Sequence, residues 1–543
     1  MLHSNLNFRK FTPMKKIKYI ALCLLLLTAT SCKKYLETSP TDFATPQNFY
    51  ATESDLNTAL AGIYDSFAQD GTYSRNLIVE LAQGTDEGFR KRSTVTDIFV
   101  HKYNHTAGDV TVLNCWRQLY DGINRANLLL ENIDKPTMDP VKRDNIKGQA
   151  LFLRAYSYFL LVSLYGDVPL ILESTKSADN VNRARTPSAD VYAKVLTDMT
   201  TAEGLVSTFT HPGTVSKTAI EGILARVCLK MAGYPLNDVS KFADAKAWAL
   251  KVVQSNIHSL NPSYAQIFIN NSADLYDLTS KETLWEIEFA GNNINTTARE
   301  GSRFANQFAI RYTGTDVTQV GYGYASVGAT GTLFKIYGTA ASITDVRRDW
   351  CIAPFSYSTA NPPLEVAQLA TEYYNRDIGK WRRKYETIAP RNTDWAPTNF
   401  PVLRYADVLL MLAEAENELN GPTAALPYFN LVRTRAGAST TYPNGSGLSL
   451  VEVGTKDQFR NAIMSERARE LAFEGLRKMD LIRWRKLLEV LKPVGADITA
   501  NASSTLKYGS VGYDNAAEKH YLLPIPTLEL SLNKSMTQNP GWN

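Results

Sequence analysis

From Lys147 to Tyr165 the chain carries a helix-length run that is apolar on nearly all sides, through Leu151, Tyr156, Phe159, Leu160, Val162 and Leu164. A helix without a polar stripe has to be buried, so other elements must surround this one. Gly166 supplies its C′ position, and Pro169 prevents continuation. The neighbouring segments read as helices too. Leu56, Leu60, Ile63, Tyr64 and Phe67 recur at helical spacing behind Thr52 and Ser54, either of which can cap. From Trp116 to Ile133, Trp116, Leu119, Tyr120, Ile123, Ala126 and Asn127 line one face. Further helices are expected over 187–205, 216–233 and 241–254.

The stretch from about 256 to 400 is different. Trp285 to Phe289 alternates like a strand, and farther along Gly321, Gly323, Gly328 and Gly331 punctuate a loop-rich region. A long irregular segment in a helical chain is usually functional or disordered, and its aromatic content argues against disorder. Helices resume over 403–420, closed by Gly421-Pro422, then over 423–436, 457–474 and 476–490. The first pair has about the length of a tetratricopeptide repeat, roughly 34 residues. Such pairs bury their apolar faces only by stacking. The expected fold is mostly α: a single domain over 32–543, with a helical scaffold at 32–255 and 401–543. That scaffold carries a loop-rich insertion with short strands at about 256–400.

The leader is legible by itself. Met14 to Lys18 is basic, Tyr19 to Leu27 is apolar, and Ala29-Thr30-Ser31 are small residues ahead of Cys32. This order fits a lipoprotein signal peptide over 1–31, with Cys32 as the lipid-bearing first mature residue; the apolar run is too short to span a bilayer. Met14 is an alternative start, with 1–13 as an upstream extension. Five basic residues and no acidic ones precede Cys32, so removing them takes the formal net charge from +4 to −1. A near-neutral body has no general hold on a polyanion, which argues against nucleic acid as a partner. Cys115, Cys228 and Cys351 are too scattered for a disulfide framework or a zinc site.

Arg154 to Phe159 with Tyr165 to Leu170; Leu403 to Leu410 with Ala413-Glu414-Ala415; and Arg467, Glu470 to Gly475, Arg477, Asp480-Leu481 and Arg483-Trp484 form three blocks. Together they resemble the SusD/RagB family of nutrient-binding outer-membrane lipoproteins. Leu523 to Pro526, Glu529, Asn533 and Gln538 to Gly541 extend the similarity to the C-terminus, and Cys32 to Glu37 with Pro40 to the mature start. The resemblance implies a SusD-like fold of tetratricopeptide-like helix pairs. It also implies a surface-exposed, lipid-anchored place on the outer membrane and a SusC-like TonB-dependent transporter as partner. The implied ligand is an oligosaccharide, and no enzymatic activity or cofactor is implied. The scaffold motifs are equally compatible with a peptide-binding lid of the RagB kind. A lipid-anchored hydrolase, or a lid with no ligand affinity of its own, are further alternatives.

Arg467, Glu470, Glu474 and Arg477 are spaced to share one helix face. Two carboxylates four residues apart would suit a glycosidase pair, but flanking arginines keep both ionised, so an ion-paired brace is the expectation. His101 and His105 lack an HExxH context and read as surface residues. Calcium held by scattered oxygen atoms leaves no readable spacing. Sugar rings stack on aromatic faces while amides and charged groups hold their hydroxyls. Trp116, Tyr156, Tyr158, Phe159 and Trp484 fall on helix faces and read as core, as does Trp285; Trp350 and Trp395 stay open. The ligand contacts expected are Tyr312, Tyr322 and Tyr324 in the insertion, with Tyr73, Arg75, Phe89 and Arg90 in the early loop.

Overall fold

Thr52 caps the first helix with a reciprocal box. Its Oγ1 accepts from the Asp55 N–H at 3.2 Å, and the Asp55 carboxylate accepts from the Thr52 N–H at 2.9 Å. The computed structural model describes residues 49–91, 93–94, 96–177, 181–294, 301–440 and 453–542. The leader and Cys32 lie outside the described residues. The chain divides into two units, Met1–Ala51 and Thr52–Asn543, and all described helices and strands lie in the second.

Helix α1 is Glu53–Ala68, α2 Val110–Asn132, α3 Pro140–Tyr165, α4 Ser188–Glu203, α5 Lys217–Ala232 and α6 Lys241–Gln254. Each packs against the next. In α3 every residue from Gly148 through Ser163 is buried, as its all-round apolarity requires. The helix starts seven residues before the apolar run, because Asp139 accepts from the Val141 and Lys142 amides and Pro140 suits the first turn. Likewise α2 begins before Trp116, where Asp109 caps the Thr111 N–H at 2.8 Å.

The insertion is less irregular at its start than expected. Ser263 caps α7, Tyr264–Ala273. The expected strand is β2, Thr283–Ile287. Two-stranded antiparallel pairs account for the named strands: β1 Gly88–Arg90 with β3 Val327–Ala329, β4 Phe355–Tyr357 with β5 Glu365–Ala367, and β2 with β6 Phe400–Arg404. The last pair aligns Trp285 with Leu403 and Ile287 with Phe400. Leu403 and Arg404 are therefore strand, and α8 is Tyr405–Asn420 rather than 403–420. Pairing with a strand more than a hundred residues away overrides the local helical pattern.

Helices α9, Pro422–Arg435, and α10, Lys456–Glu470, pack on α8. Helix α8 also packs on α6, joining the scaffold's two halves across the insertion. Helix α10 stops at Glu470, short of the expected 474, and Phe473 and Gly475 turn the chain with positive φ. The expected helix over 476–490 is broken into α11 Arg477–Arg483 and α12 Leu487–Asn501, with Arg485 at φ 58° between them. Trp285 seats β2 in the core, its ring edge-on to Phe152 at 5.1 Å and Tyr156 at 4.8 Å. Among the described residues no helix is long and apolar enough to cross a membrane.

Candidate functional site

The carboxylates of the C-terminal block are structural. Glu470 and Glu474 do not share a helix face, yet they meet on Arg404. Its guanidinium reaches Glu470 at 2.9 Å and Glu474 at 2.7 and 2.8 Å, and all three side chains are buried. Arg435 binds Glu470 at 2.5 Å, and Lys380 binds Glu474 at 2.5 Å. Burial works to raise the Glu470 pKa, but Arg435, Arg404 and Arg347 outweigh it and hold the carboxyl at about 2. A general acid needs the opposite shift. Arg467 turns instead to Asp407 and Asp480, at 2.6 and 2.7 Å, and Arg477 to Asp86 at 2.6 Å. The ion-paired brace exists, built by tertiary contacts rather than helical spacing.

The early-loop residues are mostly internal. Tyr73 is buried, its hydroxyl against that of Tyr156 and its ring 5.4 Å from Phe400. Phe89 is buried on the inner side of β1, edge-on to Tyr374 at 5.9 Å. Neither presents a face to solvent, contrary to expectation: an aromatic in a loop is drawn inside when the loop itself is clamped to the core. Arg75 and Arg90 gather on the buried Glu80, at 3.3 and 3.6 Å, and Arg90 also lies 4.4 Å from the Phe99 ring centre. His101 completes that cluster, 3.2 Å from Glu80, and is buried rather than exposed. His105 is buried as well, packed 4.8 Å from the Trp542 ring.

The insertion's tyrosines are arranged by one short ribbon. Tyr312 and Gly323 exchange both backbone hydrogen bonds, at 3.1 and 2.9 Å. Asp316 shapes the turn between them by accepting the Thr318 and Gln319 amides. Gly323 is needed there, since a Cβ would run into the Ile310 carbonyl oxygen. Neighbours of a paired residue project to the opposite face. Tyr322 and Tyr324 therefore share one face, rings 4.9 Å apart at 70°, and Tyr312 lies on the other.

On the first face both tyrosines are half-buried, and the Tyr324 hydroxyl donates to Asp394 at 3.2 Å. The half-buried Trp395 is next in sequence to Asp394, and the Arg303 guanidinium lies 5.3 Å from its ring. Arg303 is itself held by Asp70 at 3.2 Å. This ledge combines ring faces with a carboxylate and a guanidinium, the pairing that saccharide binding requires.

On the second face Tyr312 is buried and sits 6.3 Å from the half-buried Tyr357. The two border an open cleft of about 690 Å³, whose other walls include Lys91, Arg311, Gln368, Asn375 and Asp377. The pairing of β1 with β3, and the Lys91 N–H donated to the Ser326 carbonyl at 2.9 Å, bring the early loop to this cleft. Lys91, Arg311, Tyr357, Asp377, Arg303 and Asp394 are absent from the sequence expectation. Adjacency of Lys91 to Arg90 and of Arg311 to Tyr312 is the one local signal that points toward any of them.

A family model described as SusD family matches residues 355–542. Another, described as starch-binding associating with outer membrane, matches residues 34–229. SusD-like protein P2 of Formosa agariphila is 30% identical, covering 97% of this chain and 100% of its own length. The chain belongs to the SusD family. A solved SusD homolog from Bacteroides thetaiotaomicron, 26% identical, covers 92% of this SusD-family chain and 98% of its own, with a TM-score of 0.82. A laminarin-binding SusD-like protein, 21% identical, shares the fold over 91% of this chain and 100% of its own with a TM-score of 0.68. The mostly helical scaffold is thus that of the SusD family.

Proposed function

We propose that this SusD-family protein is a glycan-binding lipoprotein of the outer-membrane surface. It captures an oligosaccharide and hands it to a SusC-like TonB-dependent transporter. The observation that carries this reading is the Tyr322–Tyr324 pair beside Asp394 and Trp395. Half-buried rings held in fixed orientation supply stacking surface at little entropic cost, and the flanking charges orient hydroxyls. The description of the family model over 34–229 and the laminarin-binding relative support the ligand class and the membrane. Cys32 is the proposed anchor; two or three acyl chains would hold it, since each buried methylene contributes about 0.8 kcal/mol. A chain held by lipid alone forms no pore, which assigns the import step to a partner.

The test is calorimetry of the detergent-solubilised full chain against neutral and acidic oligosaccharides and against peptides, with products followed by chromatography. Saccharide binding without cleavage is expected. Binding of peptides alone, or measurable hydrolysis, overturns the reading. Co-purification of a TonB-dependent transporter from native membranes tests the partner.

A further inference from the structure

The cleft on the Tyr312 face has an unbalanced charge. Asp377 is the one acidic residue among those that line it, and both its carboxylate oxygens are occupied. Oδ1 accepts from Lys91 Nζ at 2.6 Å, and Oδ2 accepts from the Arg311 backbone N–H at 2.9 Å. Lys91 is saturated in turn, its ammonium also donating to the Asn375 and Arg376 carbonyls at 2.9 and 3.1 Å. Lys91 and Asp377 therefore cancel inside the wall. The Arg311 side chain is different: it is exposed, and its guanidinium makes no hydrogen bond or ion pair among the described residues. The backbone that carries it is fixed on both sides, by the Asp377 contact at Arg311 and by the Tyr312–Gly323 pairing.

An exposed arginine is ordinarily a solvated surface group. Here it stands at the wall of a cleft whose volume lies in the range of small-ligand sites. Around it are the Tyr357 ring, the hydroxyls of Ser356 and Ser358, and the amides of Gln368 and Asn375. Those groups suit a saccharide, while the guanidinium fork matches a planar carboxylate or a sulfate ester and gains little from a neutral hydroxyl. Resting on the glycan-binding reading above, we infer that this cleft selects acidic saccharides, with Arg311 binding the uronate carboxylate or sulfate group of one sugar unit.

The experiment measures binding of the detergent-solubilised full chain to three oligosaccharide probes: a polygalacturonate fragment, a sulfated galactan fragment and a neutral β-glucan fragment. The wild-type protein should bind one acidic probe at least about tenfold more tightly than the neutral one at low salt. Which acidic probe is bound distinguishes carboxylate from sulfate. Arg311→Ala should abolish that preference while leaving neutral-probe affinity and the unfolding midpoint unchanged, since no fold contact is lost. Arg311→Lys should retain part of the preference, keeping charge but losing the fork. Raising the salt from about 50 to about 500 mM should weaken acidic binding selectively. Equal affinity for acidic and neutral probes, or an Arg311→Ala protein that keeps the preference, overturns the inference and leaves glycan binding standing. Binding of none of the saccharides overturns both.

Discussion

Arg404 grips Glu474 through two parallel hydrogen bonds, Nε to Oε2 at 2.8 Å and Nη2 to Oε1 at 2.7 Å, with both side chains buried. The same guanidinium reaches Glu282 at 2.8 Å and Glu470 at 2.9 Å, so one strand residue ties α10 and the turn after it to β6. Replacing Arg404 by Ala removes the cation that three buried carboxylates share, leaving Glu470 and Glu282 to Arg435 and Glu474 to Lys380. The expected loss is about 3–5 kcal/mol, read as a lowered midpoint in chemical denaturation. The exposed Lys142–Glu53 pair is the control; Lys142→Ala should change stability by about 1 kcal/mol or less.

The stability contributed by two buried histidines should fall on mild acidification. Burial pushes His105 down to about 3 and His520 down to about 4, with the nearby Lys478 charge adding to the effect. Their native pKa values lie below the ordinary 6.5, so the native state binds fewer protons than the unfolded one. The stabilising contribution is complete above pH 6.5 and is lost as pH falls from there through about 4 and 3. Glu466 and Glu470, each held at about 2 against burial by arginines, add a second loss below pH 4.5. Burial pushes Glu87 and Glu286 up to about 8, a contribution of opposite sign, so the histidine share is read as the decline, from pH 8 to pH 3, of the denaturation-midpoint difference between wild type and a variant carrying His105→Asn and His520→Asn. A midpoint difference between those two proteins that does not change from pH 7 to pH 4 would contradict the buried placement of the two histidines.

Removing the ledge should weaken saccharide binding without unfolding the protein. Tyr322→Ala and Tyr324→Ala each take away one half-buried ring, and affinity for the bound glycan should drop by about tenfold in each. Tyr324→Phe keeps the ring and loses the Asp394 hydrogen bond, so its effect should be smaller. Affinity electrophoresis with wild-type and variant proteins reads the order directly.

Trp285→Ala should be among the most damaging core substitutions. The ring is fully buried between Phe67, Phe152 and Tyr156 and joins β2 to α1 and α3. A cavity of that size costs about 3–5 kcal/mol, measurable as a shift in denaturation midpoint with unchanged slope.

Helix existence was legible because it is written at short range. The all-round apolarity of Lys147 to Tyr165 predicts burial without knowledge of any partner, and Thr52 carries its own capping box. The residue order ahead of Cys32 that underlies the proposed lipoprotein signal, and the blocks that resemble the SusD family, are likewise linear features. Pairing across distance is the part a linear pattern could not contain. Leu403 and Arg404 continue a helical periodicity and become strand because Thr283–Ile287 lies alongside. Tyr73 and Phe89 resemble the insertion's tyrosines in composition, yet Tyr156 and Tyr374 receive them inside. Tyr312 parts from Tyr322 and Tyr324 because a ribbon sends alternate residues to opposite faces. Arg311 and Lys91 reach one cleft only through the β1–β3 pairing and the Asp377 carboxylate. Periodicity, caps and signals depend on neighbours in sequence; burial of an individual ring and convergence of charges depend on which distant segments meet.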